Sequence, residues 1–77
     1  MEFFARRLKE LRKSRKKTQR EMAEYLGIGL RAYQYYERNE REPQRSVLMR
    51  MADYFGISLD ELAGRDDPAP GKKETTP

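Results

Sequence analysis

The 77-residue chain has no cysteine, no histidine and no tryptophan. Without cysteine, no disulfide can staple the fold and thiol chemistry is excluded. Without histidine as well, zinc-finger and similar His/Cys metal sites are excluded. No apolar run approaches the roughly 20 residues of a membrane span. The opening MEFFARRLKE carries acids and lacks an apolar segment, so it does not read as a signal peptide. A cytoplasmic location is the expectation. No Gly-rich phosphate loop and no strand–helix nucleotide motif is visible. Asp53, Asp60, Glu61, Asp66 and Asp67 read as solvated helix faces and tail. Neither an enzyme nor a cofactor nor a metal is expected.

What is abundant is charge. Charged residues make up 39% of the chain, and 17 Lys and Arg against 13 Asp and Glu leave a net charge of +4. The mean hydropathy is -1.11 and the pI about 9.6. A chain this short is one domain at most and buries only about 60% of its surface, so its stability should be modest. The positive balance is compatible with a polyanionic partner.

The apolar residues are organised around Gln19 to Arg38, QREMAEYLGIGLRAYQYYER. Met22, Ala23 and Leu26 share one helical face. Gly27 follows where a helix would end at positive φ, which glycine adopts without a Cβ penalty. Ile28 is an apolar plug in the turn. Ala32, Tyr33 and Tyr36 then repeat the spacing of the first set. Ala23 sits where the two helices would cross. This is the pattern of a helix-turn-helix, whose second helix enters the major groove in the DNA-binding form. An αα-corner in any small helical protein would share the short apolar periodicity.

Upstream, Phe4, Leu8 and Leu11 predict an amphipathic helix from Glu2 to about Arg15. Nine of the seventeen basic residues lie between Arg6 and Arg20. They form either a solvated face or a phosphate-facing patch. A membrane-surface helix is disfavoured, because the narrow apolar stripe is needed for the core. Thr18 and Glu21 form a capping box for the second helix, which runs to about Leu26. Gln19 then falls in its first turn, where side chains and N–H groups can face a phosphate. The third helix spans about Leu30 to Arg38, with Leu30, Arg31, Gln34, Tyr35 and Arg38 outward. Arg suits guanine and Gln adenine; Leu30 suits a thymine methyl, and Tyr35 a base, a phosphate or plain surface packing.

Pro43 suits the first turn of a fourth helix running to about Phe55, with Val47, Leu48, Met51, Ala52 and Phe55 inward and Met49 ambiguous. Gly56 caps it, Ile57 packs back, and Ser58 with Glu61 boxes a short last helix completed by Leu59 and Leu62. Gly64 closes the domain, residues 1–64. Residues 65–77, RDDPAPGKKETTP, have no apolar periodicity and read as a disordered tail.

The segments RLKELRKSR, TQREMAEYLGI, the YQYYE run with REP after it, and MADYFGISLDELAG resemble the Cro/CI-type helix-turn-helix regulators, the XRE family. The resemblance covers roughly Arg6 to Gly64. It implies an all-α, five-helix lambda-repressor-like domain that binds duplex DNA sequence-specifically, usually as a homodimer on an inverted repeat. It implies base-facing roles for Leu30, Arg31, Gln34 and Tyr35. It implies phosphate contacts for Gln19, Arg38 and Arg41, to which the basic residues Lys17 and Arg20 and the hydroxyl of Thr18 beside Gln19 are added. It also implies a partly buried salt bridge between Arg12 and Glu37. The chain departs from the family at Lys17, where an apolar residue is usual, and at Gly29, where Ser or Thr caps the third helix. Arg38-Asn39 replaces Asn-Gly, and Arg45 replaces an apolar residue.

A transcriptional regulator, and among regulators a repressor, is therefore the expectation. The alternative is an antitoxin-like module that binds a partner protein, with the tail as the candidate contact. A dimer would use exposed apolar residues around the last helix, including Ile57 and Leu59.

Overall fold

The computed structural model describes residues 2–64, all of whose regular structure is helical. The elements are α1 (Glu2–Ser14), α2 (Gln19–Leu26), α3 (Leu30–Glu37), α4 (Arg45–Phe55) and α5 (Leu59–Ala63). The tail expected over 65–77 lies outside the described residues.

Each helix contributes one apolar stripe to a common core. Phe4 and Leu8 come from α1, Met22, Ala23 and Leu26 from α2, and Tyr33 from α3. Met51, Ala52 and Phe55 come from α4, and Leu62 from α5. Leu11, Tyr36, Val47, Leu48, Ile57 and Leu59 pack around this centre. Burial of such side chains stabilises a domain by roughly 1.5–3 kcal/mol each. Met49 resolves as exposed, at 48%.

Local signals set the ends. The Thr18 hydroxyl accepts the Glu21 N–H at 3.0 Å, and the Glu21 carboxylate accepts the Thr18 N–H at 2.8 Å. That backbone hydrogen bond is the largest cause holding the Glu21 carboxyl below its ordinary pKa. Ser58 and Glu61 repeat the box at α5. Gly27 adopts φ 72° and the Ile28 N–H returns to the Ala23 carbonyl at 3.0 Å, closing α2 in a Schellman turn. The link after α3 turns at Asn39, φ 61°, a region that Asn tolerates better than most residues.

The start of α4 is a correction. The helix begins at Arg45 with Gln44 as its N-cap, so Pro43 precedes the cap and lies outside the first turn. Pro43 is buried, and the Val47 and Leu48 N–H groups both reach the Gln44 carbonyl at 3.0 Å. Pro43 thus packs as an apolar anchor ahead of the helix. Arg45 is exposed, so a charged side chain there costs the core nothing.

Three arginines serve the fold directly. Arg7 Nε donates to the Glu61 carbonyl of α5 at 3.0 Å, Arg15 Nη2 to the Phe55 carbonyl of α4 at 3.0 Å, and Arg50 Nη1 to the Leu26 carbonyl of α2 at 3.1 Å. Each satisfies a carbonyl near a helix C-terminus, where a cation also complements the helix dipole. Arg15 lies against the rings of Tyr54 and Phe55 as well, at 5.6 and 5.4 Å from their centroids.

Candidate nucleic-acid interface

The helix α3 is fixed from two sides. Tyr33 is fully buried on its inner face. Its hydroxyl donates to Glu37 Oε2 at 2.6 Å, four residues on. Arg12 of α1 reaches the same carboxylate with Nε at 2.7 Å and Nη2 at 3.2 Å, a bidentate pair. The two side chains are 12% and 2% exposed, which is the partly buried salt bridge the resemblance implied. Arg12 Nη1 also donates to the Lys17 carbonyl at 2.9 Å, tying the α1–α2 loop to the pair. Arg12 is therefore a structural cation.

Burial alone would raise the Glu37 carboxyl pKa. Hydrogen bonds from Arg12, Tyr33 and Gln19 outweigh it and hold the group below its ordinary value. The hydrogen bond to Glu37, working against burial, pushes the Arg12 guanidinium up. Burial, and then the bond to Glu37, raise the Tyr33 phenol, which stays a neutral donor.

The outer face of α3 carries the predicted reading residues. Arg31 is exposed, while Leu30, Gln34 and Tyr35 are half-buried. The outward cations Lys17, Arg20, Arg38 and Arg41 are all exposed. Among the described residues, Arg38 makes a long 3.8 Å surface pair with Glu40, of the kind worth little in water. Arg41 sits over the Tyr35 ring, 4.8 Å from its centroid. The loop cation and the α3 aromatic are thus one contact, a cation–π pair that sequence spacing alone did not suggest.

Gln19 and Thr18 are placed differently from free phosphate ligands. The Thr18 hydroxyl closes the capping box. Gln19 Nε2 donates to Glu37 Oε1 at 3.1 Å, and Gln19 Oε1 accepts from Gln34 Nε2 at 3.1 Å. The first residue of α2 therefore bridges the buried ion pair to the outer face of α3. Arg7, Arg15 and Arg50 were the arrangement hardest to foresee, because their carbonyl partners lie 24 to 54 residues away along the chain.

Two short helices joined by a left-handed glycine turn, the first burying Met22, Ala23 and Leu26 and the second offering an outer face with Arg31 and Gln34, define a helix-turn-helix domain. A helix-turn-helix family model matches residues 8–62. The chain belongs to this family, as the resemblance to Cro/CI-type regulators implied. It is 46% identical over 59 residues to the cryptic phage CTXphi transcriptional repressor RstR of Vibrio cholerae, covering 77% of this chain and 53% of that one. It is 39% identical over 64 residues to the HTH-type transcriptional regulator ImmR of Bacillus subtilis, covering 83% and 50%. A crystal structure of a transcriptional regulator from Listeria innocua superposes with a TM-score of 0.77 at 38% identity, covering 79% of this chain and 57% of that one. The chain spans about half the length of these relatives. Among the described residues no helix is long and apolar enough to cross a membrane.

Proposed function

We propose that this chain is a sequence-specific duplex-DNA-binding regulator of transcription, acting in the cytoplasm as a repressor, with residues 1–64 as its DNA-binding domain. The observation that carries this reading is the two-sided anchoring of α3. Tyr33 and Glu37 lock its inner face to the core and to α1, while Leu30, Arg31, Gln34 and Tyr35 line its outer face between exposed cations. That arrangement suits a helix seated in a major groove, its flanks held by phosphates. Lys17, Arg20, Arg38 and Arg41 supply the phosphate contacts, while Thr18 in the capping box and Gln19 between Glu37 and Gln34 hold the start of α2 against α3. A homodimer on an inverted-repeat operator would double the contact surface of so small a domain. The names of the relatives, a phage repressor among them, support the same reading.

The test is fluorescence anisotropy on a duplex from immediately upstream of the protein's own gene, beside a scrambled duplex, at two salt concentrations. Specific binders prefer their site by about 10³-fold or more. Arg31→Ala should cost about 1–3 kcal/mol on the preferred site and relax discrimination at one base pair. Lys17→Ala should weaken both duplexes alike and flatten the salt dependence by about one phosphate. Equal losses on both duplexes from both variants would overturn this assignment of roles.

A further inference from the structure

The Glu37 carboxylate does more than hold α3 to α1. It accepts from Arg12 twice, from the Tyr33 hydroxyl and from Gln19. An ionised carboxylate accepts hydrogen bonds and donates none, so only the NH₂ end of the Gln19 amide can face it. A planar amide so fixed must turn its oxygen the other way, toward Gln34. Gln34 must then meet that oxygen with its own NH₂ end, as the 3.1 Å contact shows. The amide orientation of Gln34 is thereby determined by a carboxylate two residues removed in the hydrogen-bond chain. Among the described residues, no side chain donates to Gln34 Oε1.

We infer that Glu37, acting through Gln19, fixes the amide of Gln34 so that it presents its carbonyl oxygen and one remaining N–H to a base, which makes Gln19 a positioning residue for base selection. This rests on the reading of α3 as the groove-facing helix. A carbonyl beside an N–H matches adenine, whose N6 amine donates and whose N7 accepts. Guanine presents two acceptors, O6 and N7, and would set O6 against the Gln34 oxygen. An untethered glutamine could rotate its amide to suit either base; a tethered one cannot. The tether also removes rotamer freedom before DNA arrives, lowering the ordering cost of binding.

Selection of bound sequences from a random duplex pool tests this, with wild type, Gln34→Ala, Gln19→Met and, as a second variant, Gln19→Ala. Circular dichroism confirms that each variant folds. Gln34→Ala should flatten one position of the selected site and so identify it. Both Gln19 variants should weaken the adenine preference at that same position by on the order of tenfold, leaving the remaining positions sharp. A structural role alone would weaken every position together. In the free protein, the Gln34 amide proton bonded to Gln19 should be shifted by NMR from the position of an unbonded glutamine and return to it in both Gln19 variants. Unchanged discrimination at the Gln34 position together with unchanged amide protons would overturn the inference, as would a uniform loss across all sequences. A pool that enriches nothing would overturn the reading of α3 and the base preference with it. The amide protons, which need no DNA, would then still report whether Gln19 orients Gln34.

Discussion

The molecule contains nearly the same turn twice. Tyr25-Leu26-Gly27-Ile28-Gly29-Leu30 joins α2 to α3, and Tyr54-Phe55-Gly56-Ile57-Ser58-Leu59 joins α4 to α5. The first glycine has φ 72° and ψ 31°, its counterpart φ 71° and ψ 33°, and each following isoleucine N–H returns to an alanine carbonyl at 3.0 Å. The leading tyrosines even meet, their ring centroids 4.6 Å apart. The turns differ at the cap. Ser58 accepts from Glu61 and completes a box, whereas Gly29 offers no acceptor and Ala32 stands where the glutamate would be. The five-residue α5 thus carries its own start signal, and the eight-residue α3 carries none. From this contrast the source of order in α3 becomes clear: it lies in Tyr33 and Glu37, at its inner and far positions, through contacts to the core and to α1. Its first turn is left without a side-chain cap on the side that faces the proposed DNA.

Removing the distant anchor should therefore break α3 most severely. Glu37→Ala leaves the half-buried Arg12 cation uncompensated and strands the Tyr33 hydroxyl and the Gln19 amide. Breaking such a pair typically costs about 3–5 kcal/mol, a large share of the stability of so small a domain. Urea denaturation followed by helical dichroism should show the loss. The acid limb provides an independent check. Because the folded Glu37 pKa lies below its ordinary 4.5, its contribution is present above that value and is lost as pH falls through the folded pKa. Stability of the wild type should fall in that window, and Glu37→Ala should lack that part of the slope. An identical acid profile in the two proteins would show that the carboxylate is not what holds α3.

Much of this comparison was legible in the sequence, and the reasons are physical. Caps and turns are local: Thr18 with Glu21, Ser58 with Glu61, and Gly27 and Gly56 act within a few residues, so their chemistry can be read along the chain. The core followed from helical spacing for the same reason. Pro43 misled because proline is equally at home one residue ahead of a cap, and only its burial against the domain distinguishes the two. The Arg12–Glu37 pair came from family resemblance, since nothing in spacing links residues 25 apart. The basic run of α1 shows the limit most clearly. Sequence counts Arg7 and Arg15 as two more candidate phosphate ligands, yet both are engaged by carbonyls near helix ends. The Gln19–Gln34 link was hidden likewise, because each residue alone had an obvious outward role.

A smaller effect comes from the capped turn. Ser58→Ala removes the side-chain acceptor for the Glu61 N–H and should cost about 1 kcal/mol, within the usual range of roughly 0.5–2 for such caps. On a domain of this size that lowers Tm by roughly 4–8 °C. The change leaves the Gly56 turn and the core untouched, so α5 alone should fray. Amide hydrogen exchange would locate the loss at α5, and a loss spread over α2 or α3 would contradict the local reading of the cap.

An effect of similar or smaller size runs in the opposite direction. Gly29→Ser gives the first turn the side chain that the second already has. Gly29 sits at φ -73° and ψ 154°, an ordinary extended conformation, and a Cβ there meets no atom within 4 Å. The substitution should therefore fit without strain. Serine is better than glycine at this position by only a few tenths of a kcal/mol. Replacing glycine also restricts the unfolded chain, adding about 0.4–1 kcal/mol where the native backbone is compatible. A rise in Tm of a few degrees is expected. Adding Ala32→Glu would complete the box. If the two turns differ only at their caps, its gain should appear only in the Gly29→Ser background, because the glutamate then orders a cap that exists. A double variant no more stable than Gly29→Ser would mean that α3 already has its start fixed by Tyr33 and Glu37, leaving a local signal nothing to add.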